Sequence, residues 1–272
     1  MLECVVNISE GRRAGVVDAV AAAAGGDVLD MHSDADHNRS VLTLVGEAAP
    51  RAVAREAVAR LDLRRHEGVH PRLGVIDVVP FVPLGGATTA DAVAARDRFL
   101  AWIAHELEVP GFAYGGPGGR ALPEVRRRAF RDLAPDAGPD RPHPSAGAVA
   151  VGARGVLVAW NVWLAEPDVA TAKRVAREIR GPHLRALGLP VAGGAQVSMN
   201  LVAPDVIGPA EAWDLVAERA EVDRAELVGL VPRATLARTD RARWEQLDLA
   251  EDRTIEHRLD RRGPTPPSKL RS

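Results

Sequence analysis

Residues 63–83 have the sequence LRRHEGVHPRLGVIDVVPFVP, in which a polar segment is followed directly by an apolar one. The polar part holds two histidines, a glutamate and three arginines, and it is interrupted by glycine and proline. Reactive side chains are commonly carried on loops that a rigid sheet positions, and glycine and proline favour such loops. The stretch therefore predicts a β-strand preceded by a reactive loop, with His70 as the candidate catalytic residue.

Residues 66–70, HEGVH, also match the HExxH signature of zinc hydrolases. In that signature a helix brings both histidines to one metal ion. Here Pro71 disfavours a helical conformation at His70, and Gly68 weakens a helix by about 1 kcal/mol relative to alanine. We therefore expect a loop without a metal, and a zinc hydrolase is a remote alternative. His70 is then either catalytic or hydrogen-bonded only to nearby backbone.

The composition is typical of a soluble globular protein. The chain has 272 residues, 46% of them hydrophobic, and a formal net charge of -2, which lacks the basic excess of nucleic-acid-binding proteins. Its single cysteine, Cys4, cannot form an internal disulfide, and Glu3 and Asn7 interrupt the apolar core that a signal peptide would need. We expect a cytoplasmic protein that binds neither nucleic acid nor a membrane.

Short β-branched segments alternate with alanine- and arginine-rich segments, a pattern that favours an α/β (α+β) fold. A run of prolines and glycines at 134–147 separates two halves, each of which fits a ferredoxin-like plan of a mainly antiparallel sheet covered by helices. We expect an N-terminal subdomain at 1–147 and a C-terminal subdomain at 148–272.

The glycine-rich segment 114–120 lacks the Lys-Ser/Thr ending of a P-loop and is predicted to be a flexible loop. Strands are predicted at 3–7, 28–32, 40–45, 75–81, 149–151, 156–162, 197–202 and 227–231, and helices at 16–24, 51–61, 89–107, 168–179 and 209–220.

Three further polar positions allow two interpretations each. Asn38 and Arg39 end a turn at the start of a predicted strand, where they either hold a carboxylate or belong to a turn that caps only its own backbone. Asn161 lies inside an otherwise apolar strand and needs a hydrogen-bonding partner. That partner is either a neighbouring strand or a ligand.

Several of these segments together resemble a known family. Residues 3–11 (ECVVNISEG), 36–41 (DHNRSV) and 65–81 (RHEGVHPRLGVIDVVPF) look like glutamate formimidoyltransferase, the transferase half of formimidoyltransferase-cyclodeaminase. The similarity continues through 134–148, 152–154, 196–201 and 227–232. The sequence ends where the transferase half ends, so we expect only the transferase activity.

The resemblance implies two ferredoxin-like subdomains and a transfer of the formimidoyl group from N-formimidoyl-L-glutamate to the 5-nitrogen of tetrahydrofolate, with release of L-glutamate. It implies tetrahydrofolate as a co-substrate, no metal, a homodimer, and a role in histidine catabolism and one-carbon metabolism. His70 corresponds to the family's catalytic histidine. The folate-contacting segment corresponds to Gly138, Pro139, Asp140, Arg141, Pro142, His143, Pro144, Ser145, Ala146 and Gly147.

The chemistry asks for one group that moves a proton. His70 can accept it from the attacking folate nitrogen and return it to the leaving glutamate nitrogen. Arg39 and Arg72 are candidates for binding carboxylates, together with Asn38, and Asp77 is a candidate for orienting an imidazole. A noncatalytic folate-binding module and an ATP-dependent cyclo-ligase acting on 5-formyltetrahydrofolate are the alternatives.

The chain departs from the bifunctional members of the family at two positions. His32 stands where those members have aspartate, and Trp163 stands where they have asparagine. The lost amide can change the second ligand, so the resemblance predicts the type of reaction and leaves the exact one-carbon donor open.

Overall fold

The computed structural model describes residues 1–69 and 71–262. His70, the predicted catalytic residue, lies outside the described residues. In the described part the strands are β1 (Leu2–Ile8), β2 (Val28–Asp34), β3 (Arg39–Val45), β4 (Ile76–Pro83), β5 (Gly111–Gly115), β6 (Val149–Ala153), β7 (Val158–Leu164), β8 (Leu184–Val191), β9 (Gly194–Leu201) and β10 (Val222–Val228). The helices are α1 (Ala14–Ala22), α2 (Ala48–Arg60), α3 (Thr89–Glu106), α4 (Leu122–Arg128), α5 (Val169–Ile179), α6 (Pro209–Ala217), α7 (Arg233–Arg238) and α8 (Ile255–Arg261).

The strands form two sheets with related topology. The first sheet has the order β2-β3-β1-β4-β6-β5, and the second has the order β10-β7-β9-β8. Each sheet contains a βαββαβ unit whose first and third strands are central, which is the ferredoxin-like arrangement. In these two sheets β6 runs parallel to its neighbours β4 and β5, and the other strand pairs are antiparallel. The predicted α+β class with two helix-covered sheets is confirmed.

Strand β6 follows the proline- and glycine-rich run and pairs with β4 and β5 in the first sheet. The change from one sheet to the other therefore lies between Ala153 and Val158, later in the chain than the predicted boundary between residues 147 and 148. The division into two subdomains stays a prediction.

Two strands were not predicted, and their composition explains why. Strand β5 begins and ends with glycine, and it includes Tyr114 and Gly115, so the prediction of a flexible loop was wrong at its first two residues. Strand β8 contains Gly188 and Pro190. It lies at the edge of its sheet, where proline is tolerated, and a Cβ atom at Gly188 would approach the backbone nitrogen of Lys173 on α5 to 2.2 Å.

One face of each sheet carries the apolar core. In the first sheet Cys4, Val6 and Ile8 of β1 point toward α1, α2 and α3, and all three are fully buried. In the second sheet Trp160 of β7 packs in an equivalent cluster beneath α5 and α6. Burial of such side chains is the main contribution to folding free energy.

The opposite face of the first sheet is covered at its two ends. At the β5 end, Val125 of α4 packs on Phe112 and Tyr114. At the β2 end, Leu29 and Val45 pack against residues of the second half, Leu230 and Ile255. Between these patches the strands carry polar side chains, which are Glu3, Asn7, Arg39, Thr43 and Asp77. This polar strip lies between α4 and the second half of the chain.

Candidate active site

The loop that precedes β4 is fixed by close backbone contacts. A Cβ atom at Gly68 would lie 2.4 Å from the carbonyl oxygen of His37, and one at Gly74 would lie 2.2 Å from that of Ala148. Only glycine permits approaches this close. Residues 66–69 are not helical, which confirms the predicted loop for that part of the zinc-hydrolase signature.

His66, the first histidine of that signature, contacts the backbone. Its Nε2 atom lies 2.7 Å from the carbonyl oxygen of Asn38, so Nε2 carries the proton and donates it. The Nδ1 atom is buried and has no hydrogen-bonding partner among the described residues, and burial lowers the pKa of His66 below its usual value. The imidazole is therefore neutral and connects two loops.

Asp77 organises the polar strip. Its side chain is fully buried, and it accepts hydrogen bonds from Nη1 of Arg39 at 2.5 Å, from both Nη atoms of Arg126 at 2.6 and 3.2 Å, and from the backbone nitrogen of Leu73 at 2.6 Å. Burial alone would raise the pKa of Asp77, but the two guanidinium groups outweigh it and lower the pKa to about 2. The carboxylate stays ionised.

Arg39 reaches this cluster from β3. It donates from Nε to the side-chain oxygen of Asn7 at 3.1 Å, and 11% of its side chain is exposed. Arg126 comes from α4 and also donates to the carbonyl oxygen of Pro71 at 2.9 Å. Nothing in the local sequence singles out Arg126, because α4 was not predicted and its three consecutive arginines are typical of a solvated helix face.

Asn38 and Arg72 hold the loop in place. Asn38 adopts a left-handed backbone conformation (φ 46°), accepts a hydrogen bond from the backbone of Gly11 and donates one to the carbonyl oxygen of Glu67, both at 2.9 Å. Arg72 donates to the carbonyl oxygens of His66 and Gly68, also at 2.9 Å. The structure thus places Asn38 and Arg72 on the backbone of the loop, and Arg39 and Asp77 in the ion-pair cluster that also binds the backbone of Leu73. Their roles toward a ligand stay predictions.

The predicted folate segment ends against the same network. Gly147 pairs with Gly74, Val75 donates to the carbonyl oxygen of Ala146 at 2.9 Å, and Leu63 donates to that of Ser145 at 2.7 Å. His143 accepts from the backbone of Ala146 at 3.0 Å through Nδ1. The first five residues of the segment, 138–142, are exposed. Contact with folate is not tested by these observations and stays a prediction.

A second polar cluster lies where the two sheets face each other. The carboxylate of Glu226 on β10 accepts a hydrogen bond from Nδ2 of Asn161 at 3.0 Å and a longer one from Nε2 of Gln196 at 3.4 Å. Its other oxygen lies 3.4 Å from Nε2 of His32 on β2. The partner of Asn161 is therefore a neighbouring strand, one of the two predicted possibilities. Glu226 belongs to no sequence motif and was not predicted.

His32 and Trp163 both lie at this cluster. His32 approaches one Glu226 oxygen. The indole of Trp163 lies close enough to help lower the pKa of Glu226. The Nε1 atom of Trp163 nevertheless lacks a hydrogen bond of standard geometry within the described structure. Burial would raise the pKa of Glu226, but His32, Asn161 and Trp163 outweigh it and lower the pKa to about 2. The carboxylate is ionised at neutral pH.

Residues 1–69 and 71–262 contain neither a cluster of metal-ligating side chains nor a helix able to cross a membrane. No group of three or more His, Cys, Asp or Glu side chains is arranged to hold a metal ion there. None of the helices in that part has the length and apolar character needed to cross a bilayer.

Comparison with known proteins assigns the family. Residues 1–154 match the family model described as "Formiminotransferase domain, N-terminal subdomain". The glutamate formimidoyltransferase of Streptococcus pyogenes is 35% identical over 270 residues, which cover 87% of this chain and 90% of that protein. The protein of the same name from Thermoplasma acidophilum is 31% identical over 87% of this chain and 89% of its own length.

The bifunctional relatives extend further. The formimidoyltransferase-cyclodeaminase of Sus scrofa is 34% identical over 95% of this chain, and the matched region is 55% of that protein. The chain thus spans about half the length of the bifunctional relative and nearly the whole length of the two glutamate formimidoyltransferases. With its two ferredoxin-like units and the motifs clustered around Asp77, the chain belongs to the formiminotransferase family.

Proposed function

We propose that this chain is a glutamate formimidoyltransferase. It transfers the formimidoyl group of N-formimidoyl-L-glutamate to the 5-nitrogen of tetrahydrofolate and releases L-glutamate. The observation that carries this proposal is the similarity, over 87% of this chain, to two glutamate formimidoyltransferases. The convergence of the family's motifs on one buried arginine and aspartate network supports it.

The reaction exchanges one carbon–nitrogen bond for another. The folate nitrogen attacks the amidine carbon, a tetrahedral intermediate forms, and the bond to the glutamate nitrogen breaks. The proton lost by the folate nitrogen must reach the leaving nitrogen, and His70 carries it as general base and then general acid. The loop is held in place on both sides of His70. Before it, Gly68 accepts a hydrogen bond from Arg72, and after it, Pro71 accepts one from Arg126. A loop fixed in this way supports the assignment.

Arg39, Arg72 and Asn38 are proposed to surround the carboxylates of the donor or of folate. Arg39 retains an exposed fraction of its side chain, and the cluster of two arginines around one aspartate keeps a net positive charge. We propose that Asp77 positions Arg39 and the backbone of Leu73 and has no direct bond to an imidazole. Its four acceptor positions are already occupied.

The segment 138–147 is proposed to contact tetrahydrofolate. Its exposed first half and its anchored second half support this role, since a fixed segment binds with a small loss of conformational entropy. We further propose a cytoplasmic homodimer that acts in histidine catabolism and one-carbon metabolism. Light scattering on the purified protein tests the dimer.

The decisive experiment incubates purified protein with both substrates and measures glutamate release and the folate product by mass spectrometry. We expect turnover, and a loss of about 10²- to 10⁴-fold in His70→Ala. His105→Ala is the matched control, because His105 is largely exposed on α3. A fully active His70→Ala protein would contradict the mechanism.

Other outcomes identify the alternatives. Tetrahydrofolate binding without turnover on any donor indicates a noncatalytic folate-binding module. Turnover of 5-formyltetrahydrofolate that requires ATP indicates a cyclo-ligase, and stoichiometric zinc in the purified protein indicates a hydrolase.

A further inference from the structure

Glu226 is an ionised carboxylate with room for another partner. One of its oxygens accepts hydrogen bonds from the amides of Asn161 and Gln196, while the other is approached by His32, at 3.4 Å. The side chain is 27% exposed. Neither His32 nor the indole of Trp163, which also lies near Glu226, makes a hydrogen bond of standard geometry to it, so the oxygen that faces His32 can accept one from a ligand.

Two further side chains lie near Glu226, and neither of them neutralises its charge. Gln196 is fully buried, and its Oε1 atom has no hydrogen-bonding partner within residues 1–69 and 71–262. Arg224 lies two residues before Glu226 on the same strand, stacks on the ring of Trp163 at 3.9 Å and pairs with Asp223 at 2.6 Å. The neighbouring cation is therefore already engaged with the indole and with a second carboxylate.

The strand register relates this carboxylate to the arginine cluster. His32 pairs with Val41 of β3, and Val41 pairs with Asn7 of β1, so the three side chains lie in one row on one face of the first sheet. Neighbouring strands are about 4.8 Å apart, which places His32 and Asn7 about 10 Å apart. Asn7 accepts from Arg39, and His32 approaches Glu226. The row thus joins a positive cluster at one end to a carboxylate at the other.

A ligand that spans this row needs an anionic end and a cationic end. The proposed donor has both, because an amidine is a strong base and its formimidoyl group is a planar cation with several N–H donors. Such a group pairs with a carboxylate as a guanidinium does. A pairing of this kind also keeps the amidine protonated and its carbon electrophilic.

We propose that Glu226 binds the amidinium group of the donor and makes the site select formimidoyl over formyl compounds. The proposal rests on the proposed function for the identity of the donor. It assigns to Glu226 a role in specificity, with His32 and Asn161 as the residues that position its carboxylate.

Calorimetric titration tests this without requiring turnover. The probes are N-formimidoyl-L-glutamate and N-formyl-L-glutamate. Both carry the same carboxylates, but the formimidoyl group is a cationic amidinium and the formyl group is an uncharged amide. The wild-type protein should bind the formimidoyl compound about 10- to 100-fold more tightly, the value of a hydrogen bond to a charged group. Glu226→Gln should lose that preference and still bind tetrahydrofolate as the wild type does.

A charge-matched control is Glu221→Gln, because Glu221 is exposed directly before the same strand. It should retain the preference. In the kinetic assay Glu226→Gln should raise KM for the donor by a similar factor, with KM for tetrahydrofolate unchanged. Should Glu226→Gln misfold, Glu226→Asp, which withdraws the carboxylate by one methylene, should reduce the preference.

Two results would overturn the proposal. One is wild-type protein that turns over the formimidoyl donor and yet binds both probes equally. The other is a folded Glu226→Gln protein that keeps the full preference. Either can occur while the wild type turns over its substrates, so failure of this inference is distinguishable from failure of the proposed function.

Discussion

The carboxylate of Asp77 is fully buried and is compensated by two arginine side chains from different elements. Replacing it with the neutral isostere in Asp77→Asn leaves two largely buried guanidinium groups without their counter-charge. We expect a loss of about 3–5 kcal/mol in the free energy of unfolding, measured by urea denaturation.

An exposed pair of the same chemistry provides the control. Glu56 and Arg60 lie one turn apart on α2 with 2.6 Å between nitrogen and oxygen, and both are partly exposed. Glu56→Gln should cost less than about 1 kcal/mol. Equal losses in the two variants would show that the buried cluster contributes no more than a surface pair.

At the residue scale, sequence motifs identified only the part of the site that lies within two recognisable segments, residues 36–41 and 65–81. Asn38, Arg39, Arg72 and Asp77 were selected because they stand in recognisable segments, and the structure brings them together. Arg126 and Glu226 were missed. Each acquires its position through the packing of a distant element on the first sheet, and local sequence contains no information about that packing.

At the scale of elements, the contact of the loop before β4 with the chain before β6 depends on Gly74. A Cβ atom there would approach two carbonyl oxygens, those of Ala148 and Ala146, to 2.2 and 2.5 Å. Gly74→Ala must therefore separate these backbones and break their pairing. We expect a loss of more than about 3 kcal/mol in the free energy of unfolding, or failure to fold.

Gly15 is the matched control for that substitution. It is exposed near the start of α1, and no heavy atom of the described residues lies within 4 Å of the position that a Cβ atom would take there. Gly15→Ala should stabilise the protein by about 0.4–1 kcal/mol, because alanine loses less conformational entropy on folding. Equal effects of the two substitutions in urea denaturation would contradict the close contact at Gly74.

The bounds of the longest helix were predicted closely, whereas two glycine-containing strands were missed. Helix α3 was predicted at 89–107 and spans Thr89–Glu106, since a capping box at Thr88 and Asp91 marks its start. Strands β5 and β8 contain glycine or proline that tertiary contacts require. At such positions the β-propensity of the residue conflicts with the space that tertiary packing leaves for it. Local sequence shows only the propensity.

At the scale of the whole molecule, the pKa of Glu3 depends on residues from both halves of the chain. It is 4% exposed, and its burial raises its pKa to about 7, with Arg154 opposing the rise and Glu256 of α8 adding to it. Because the folded protein binds this proton more tightly than the unfolded chain, stability decreases as pH rises from about 4.5 to about 7.

The variant Glu3→Gln should remove this part of the pH dependence. We expect a contribution of up to about 3 kcal/mol, measured as the difference between wild type and variant in urea denaturation at about pH 5 and about pH 8. Glu166→Gln, at an exposed position, should leave the dependence unchanged. A Glu3→Gln protein with the slope of the wild type would refute the assignment.

The order of strands and helices was sufficient to predict two ferredoxin-like units. It did not predict that β6 and β5 extend the first sheet. The proline- and glycine-rich run is the predicted junction, yet the chain returns from it into the first sheet as β6. A strand between two parallel neighbours is specified by pairing with residues far away in sequence. Composition therefore identifies the run but contains no indication of the strand pairing that follows it.

The one cysteine of the chain lies in the core beneath α1, α2 and α3, and burial raises the pKa of its thiol well above the usual value. Alkylating reagents need an accessible thiolate, so they reach Cys4 only after the first sheet has come apart. The rate of thiol labelling therefore reports global opening of the protein, and it can be followed without any introduced probe.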